Sequence, residues 1–74
     1  MYAWREVPGG VSTELPDGFT LYVWPWTVQG WGWHCDGPTI HDYRVSGAAP
    51  SEDAAKRNAV YAYEHRPQPD KGIR

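Results

Sequence analysis

The stretch Trp24-Pro25-Trp26-Thr27-Val28-Gln29-Gly30-Trp31-Gly32-Trp33 packs four of the chain's five tryptophans into ten residues, disposed evenly about a turn. Folded as an antiparallel hairpin, it sets Trp24 opposite Trp33 and Trp26 opposite Trp31, all on one sheet face. Cross-strand aromatic pairs of this kind are among the stronger stabilisers of a sheet. Pro25 selects the loop. It has no N–H, so it belongs in a pair that exchanges no ladder bonds. A four-residue loop over 27–30 puts Pro25 opposite Gly32 in such a pair and leaves Gly30 where a positive φ is wanted.

Outward from the hairpin, residues 2–7 alternate roughly around Trp4 and read as a first strand, broken by Pro8-Gly9-Gly10. Residues 11–18 read as a polar connection with Leu15 as anchor and a turn at Pro16-Asp17-Gly18. Residues 19–26 and 30–35 are the second and third strands. Asp36-Gly37-Pro38-Thr39 is a turn, and 40–46 the fourth strand. Pairing Cys35 with Ile40 sets Trp33 opposite Asp42 and Trp31 opposite Arg44. One face then carries Tyr22, Trp24, Trp26, Trp31, Trp33, Cys35, Ile40, Asp42 and Arg44. The other carries Leu21, Val23, His34, His41, Tyr43 and Val45, and a one-residue slip would exchange the two sets of the strand that slips.

A helix follows. Ser51 is a favoured N-cap, with Glu52 and Asp53 in the first turn where the helix dipole favours negative charge. Glu52–Lys56 and Asp53–Arg57 are i,i+4 pairs, and Ala55, Ala59 and Ala62 form a stripe flanked by Val60 and Tyr63. Pro67 ends it, leaving 67–74 as a flexible tail. The expected fold is α+β, a four-stranded antiparallel sheet (β-β-β-β-α) with one C-terminal helix on one face, in a single domain over 1–66. Small residues on the helix and large ones on the sheet make the tryptophan face the expected core.

Composition narrows the function. The chain has 74 residues, with ten Val, Ile and Leu against eleven aromatics, so its core depends on Trp and Tyr. A lone Cys35 forms no internal disulfide and suits a reducing compartment. With no basic, apolar leader and no membrane-length apolar run, the expected location is cytoplasmic. Seven basic residues against nine acidic give a net charge of −2. The basic residues are scattered, which disfavours nucleic acid as a partner.

Candidate chemistry is sparse. His34 and His41 oppose each other in this register with Asp36 near, but no ligand spacing marks a metal site, and none is expected. Cys35 follows His34 directly, so the two point to opposite faces and cannot act as nucleophile and base. No catalytic motif appears, and neither an enzymatic activity nor a cofactor is expected. One helix covers only one sheet face. The expected contact surface is therefore the other, formed by Val23, His34, His41, Tyr43 and Val45, for a protein partner or a second copy of the chain. The alternative is a nucleic-acid or small-ligand binder using an exposed aromatic face.

Trp31-Gly32-Trp33, followed by Val45-Ser46-Gly47-Ala48-Ala49-Pro50-Ser51-Glu52-Asp53-Ala54-Ala55-Lys56, resembles small bacteriophage and actinobacterial accessory reading frames. In these a Trp-rich hairpin precedes a helix. The layout is also similar to the partial RNase-H-like antitoxin fold. Neither resemblance carries functional residues over. The first implies a small phage-type accessory or inhibitor protein that binds a host or defence protein, in the host cytoplasm if phage-encoded.

Overall fold

The computed structural model describes residues 2–28, 30–39 and 43–66. Five strands run β1 (Arg5–Val7), β2 (Gly10–Glu14), β3 (Thr20–Thr27), β4 (Gly30–Asp36) and β5 (Arg44–Ala49), followed by α1 (Glu52–Glu64). They form one antiparallel meander in sequence order, with β1 and β5 at the edges. The helix packs on β3, β4 and β5. Among the described residues, no helix is long and apolar enough to cross a membrane.

The sheet has five strands, not four. The segment expected to be a polar connection contains β2. The first strand ends at Val7 as expected, though it starts only at Arg5, and Pro8-Gly9 is a hairpin turn that pairs Val7 with Gly10 and leads straight into β2. Proline supplies the negative φ of the first turn position and Gly9, at φ +88°, the positive one, the sign pattern of a type II turn. Val11 and Thr13 then face the helix side beside Val23 and Leu21, while Ser12 and Glu14 face away. The alternation is real, but it is written in Ser and Thr rather than in large apolar residues. Ser12 and Thr13 are nevertheless buried. The Pro16-Asp17-Gly18 turn forms as expected. Gly18 N donates to Leu15 O at 2.9 Å, and Gly18 takes φ +94°.

The hairpin also differs from expectation, by one residue. Trp24 pairs with Gly32 and Pro25 with Trp31, and the register shifts between Pro25 and Thr27, so Trp26 is the extra residue of a bulge. A slip of one turns one strand over. Leu21 and Val23 now share the helix face with Trp31, Trp33 and Cys35, while Tyr22 and Trp24 lie opposite. The tryptophans are split between the faces rather than stacked on one. In place of Trp–Trp pairs the structure has Trp–Gly pairs. A Cβ on Gly32 would lie 2.4 Å from Trp24 Cζ2, so the indole fills the space of the missing side chain. Trp33 does the same to Gly47 from the other face, with Cζ2 2.8 Å from where a Cβ would be.

The last strand lies further along the chain than expected. Trp33 pairs with Gly47 and Trp31 with Ala49, rather than with Asp42 and Arg44. Instead of a tight turn, a longer connection leaves β4 and is closed by Gly37 N donating to Tyr43 O at 3.0 Å. This register sets small residues beside the two indoles and keeps Arg44 off the core face. The expected partners Ile40, His41 and Asp42, and the expected tail over 67–74, lie outside the described residues.

The helix follows its sequence signals. Ser51 Oγ accepts from Ala54 N at 3.1 Å, Lys56 pairs with Glu52 at 3.1 Å, and Ala55, Ala59 and Ala62 are buried against the sheet. The expected Asp53–Arg57 pair is not formed. The alanines let α1 approach Leu21, Val23, Cys35 and Ala49, and Trp33 and Trp4 pack against both halves of this core. At its C-terminal end the helix is tied to the β2–β3 turn through Asp17. Tyr63 OH donates to Asp17 Oδ2 at 2.8 Å and Arg66 reaches the same oxygen at 3.1 Å, its guanidinium lying over the Tyr63 ring.

Candidate functional site: the open face of the sheet

The face that α1 leaves uncovered is assembled by strand alternation. From β3 come Tyr22 and Trp24, from β4 Gly32, His34 and Asp36, and from β5 Arg44, Ser46 and Ala48. Tyr22 and Trp24 stack with centroids 5.3 Å apart, and His34 lies 5.3 Å from Tyr22 and 5.5 Å from Trp24. Tyr22 OH donates to Pro8 O at 3.2 Å, which anchors this cluster to the β1–β2 turn. Trp26 is 63 % exposed at the bulge, and Val28 beyond it is fully exposed.

The polar part of the face is built around one carboxylate. Asp36 Oδ2 lies 3.0 Å from His34 Nδ1, and Oδ1 lies 3.5 Å from Arg44 Nε. The His34 contact is short enough for an ion pair, yet His34 Nδ1 has no partner in hydrogen-bonding geometry. Further out on the same face, Arg5 pairs with Glu14 at 3.4 Å. Each arginine on this face therefore has a carboxylate beside it.

Two shallow clefts lie side by side over β5. One, of about 290 Å³, is lined by Trp24, His34, Asp36, Arg44, Val45 and Ser46. The other, of about 360 Å³, is lined by Trp24, Trp26, Ser46, Gly47 and Ala48. Trp24 and Ser46 belong to both. The clefts lie where β5 presents only Ser46 and Ala48 to this face beyond Arg44, beside the larger Trp24 and His34 side chains of β3 and β4.

The residues expected to form the contact surface are divided by the corrected register. Val23 has no exposed surface and belongs to the core, and Val45 and Tyr43 pack against the buried cluster beneath the helix. Among the described residues of the expected set, His34 alternates to the open face, and Val45 reaches only the border of the first cleft. His41 is outside the described residues. Tyr22, Trp24, Trp26, Asp36, Arg44 and Ser46, which line this face, were not in the expected set. Their signal was the alternation itself, read one residue out of step. Among the described residues, no group of three His, Cys, Asp or Glu side chains could hold a metal ion. Cys35 is buried on the opposite side of the sheet from His34, and burial pushes its thiol up to about 11, so it remains a neutral, packed side chain at physiological pH.

Comparison of the chain with family models, curated proteins and solved structures finds no match.

Proposed function

We propose that the chain is a small protein-binding module whose contact surface is the open face of the sheet. The observation that carries this reading is the Tyr22–Trp24–His34 cluster, with exposed Trp26 beside it, on a face that the helix leaves bare. Rigid aromatic side chains flanked by an arginine are the residue types that dominate protein-contact energetics. The resemblance to small phage accessory proteins casts the partner as a host or defence protein and the mode of action as occlusion, without catalysis.

The stacked rings also suit a nucleobase. Charge weighs against that use. Arg5 and Arg44 lie apart on this face, each beside a carboxylate, so the face presents no row of cations of the kind a phosphate backbone requires. Titration with single-stranded DNA and duplex RNA at physiological salt is expected to show no saturable binding in the micromolar range.

The test is capture of partners from host lysate by the wild-type chain and by Trp26→Ser, whose replaced side chain is mostly exposed. Loss of the captured protein with an unchanged melting curve supports the reading. Equal capture by both chains, or by a chain also carrying Arg44→Gln, would place the contact surface elsewhere.

A further inference from the structure

The two edges of the sheet are built differently. β1 is three residues long and carries Arg5 and Glu6, the short and charged kind of edge that resists pairing with another strand. β5 runs six residues in unbroken register with β4 and has no lysine, proline or bulge. It is the last strand in the sheet order, so its outer row of backbone N–H and C=O groups faces no other strand among the described residues. Directly over it lie the two clefts described above.

We propose that β5 receives an extended peptide segment of the partner as a sixth strand, with an apolar side chain in the Trp24–Trp26 cleft and an acidic one in the Arg44 cleft. This rests on the open-face reading and specifies how the partner is held. Strand addition draws affinity from main-chain hydrogen bonds and specificity from pockets that receive alternate side chains. Here the pockets adjoin, sharing Trp24 and Ser46, and follow β5 from Arg44 in one to Ala48 in the other, the direction in which alternate side chains of an added strand would be spaced roughly 7 Å apart. The Ser46, Gly47 and Ala48 floor leaves room for an incoming side chain.

Charge specifies the second pocket. Arg44 touches Asp36 only through Nε, at 3.5 Å, and its two terminal amino groups make no bond among the described residues. Its side chain is 57 % exposed. His34 draws on the same carboxylate. Among the described residues the terminal fork of Arg44 thus remains able to hold a further carboxylate through paired N–H bonds. A second copy of this chain is a weaker occupant. Between Arg44 and the end of the strand, β5 has no carboxylate to offer its counterpart.

The probe is a fluorescein-labelled peptide of alternating threonine and valine, with one leucine and, two positions along, one glutamate. Fluorescence anisotropy against the full chain is expected to show saturable binding. Arg44→Gln should weaken it roughly tenfold, the loss of a charge-assisted bond. Arg44→Glu should do the same for the glutamate peptide and bind the lysine version of the peptide instead. Amide hydrogen exchange should show new protection along β5 in the complex. Binding that ignores the Arg44 variants, binding without protection of β5, or no binding at all would overturn strand addition. So would concentration-dependent dimerisation in sedimentation velocity that protects β5 without peptide, which would identify a second copy as the occupant. If the lysate partner still depends on Trp26 while β5 stays unprotected in its complex, strand addition fails and the open-face reading survives.

Discussion

Trp33 and Trp24 make the same contact on opposite faces of the sheet, and the fate of each is set by what lies above it. Each indole lies across a glycine of the next strand, Trp33 over Gly47 and Trp24 over Gly32. On the helix side, Trp33 joins both halves of the core, and its Nε1 is buried with no hydrogen-bond partner among the described residues. A buried N–H without a partner costs on the order of 1–3 kcal/mol. Packing beneath the alanine stripe must outweigh that loss. On the open side, Trp24 leans on Tyr22 and His34 and borders two clefts. The sheet alone does not decide which tryptophan is core. The second layer does.

The largest difference between the faces should appear on truncation. Trp33→Ala is expected to cost about 3–5 kcal/mol, enough to unfold so small a chain at room temperature. Trp24→Ala removes an aromatic stack on an uncovered face and should cost about 1 kcal/mol. Urea denaturation of both variants checks this, and equal losses would erase the distinction between the faces.

Adding a methyl group sharpens the same comparison. Gly32→Ala meets the nearer indole, at 2.4 Å against 2.8 Å for Gly47→Ala. Yet Trp24 can lift into solvent, whereas Trp33 is held by the core beneath the helix. Gly47→Ala should therefore be the more damaging, by about 1–3 kcal/mol as for other overpacked cores, with Gly32→Ala well below it. A larger loss for Gly32→Ala would mean that contact distance outweighs the surroundings.

The clamp between α1 and the β2–β3 turn belongs to the covered side and gives it a pH dependence. The hydrogen bond from Tyr63, then those from the Phe19 backbone and the charge of Arg66, hold the Asp17 carboxyl below its ordinary value despite partial desolvation. A lowered carboxylate stabilises the fold above the ordinary carboxylate range and loses that contribution as pH falls through the folded value. The same bond raises Tyr63. Burial and the bond to Glu64 push Tyr2 up to about 12. Both phenols thus stabilise the fold below their ordinary value of about 10 and lose that contribution as pH climbs through the folded values. Melting temperature should fall at both extremes, and Asp17→Asn should flatten the acid limb. An acid limb unchanged in Asp17→Asn would show that the clamp contributes nothing. The smallest effect belongs to the open side, where Trp26→Ser should leave stability within about 0.5 kcal/mol of wild type.

The helix was the most legible part of the sequence. Ser51, the acidic first turn and the alanine stripe are local signals that act independently of the sheet, and all three operate as read. The place of the reversal after β3 was legible but its length was not. Thr27 pairs with Gly30 instead of lying in a four-residue loop, and Gly30 does not take the positive φ expected of it. The register was not legible either, because tryptophan pairs are symmetric in the sequence while a bulge at Trp26 breaks that symmetry in the chain. Gly32 and Gly47 held the missing information, since a glycine on the next strand is where a large ring can lie flat. β2 was hidden by its composition, for Ser12 and Thr13 are buried without being apolar. The make-up of the open face was lost with the register, because one residue of slip exchanged Val23 for Trp24.

The division of the tryptophans between two faces is tested most directly by nuclear Overhauser contacts and glycine Hα shifts. The indole ring protons of Trp24 should contact the Hα protons of Gly32, and those of Trp33 the Hα protons of Gly47, with both glycines shifted upfield by the rings above them. Contacts between the Trp24 and Trp33 rings, with both glycines at ordinary shifts, would restore a single tryptophan face and contradict the account.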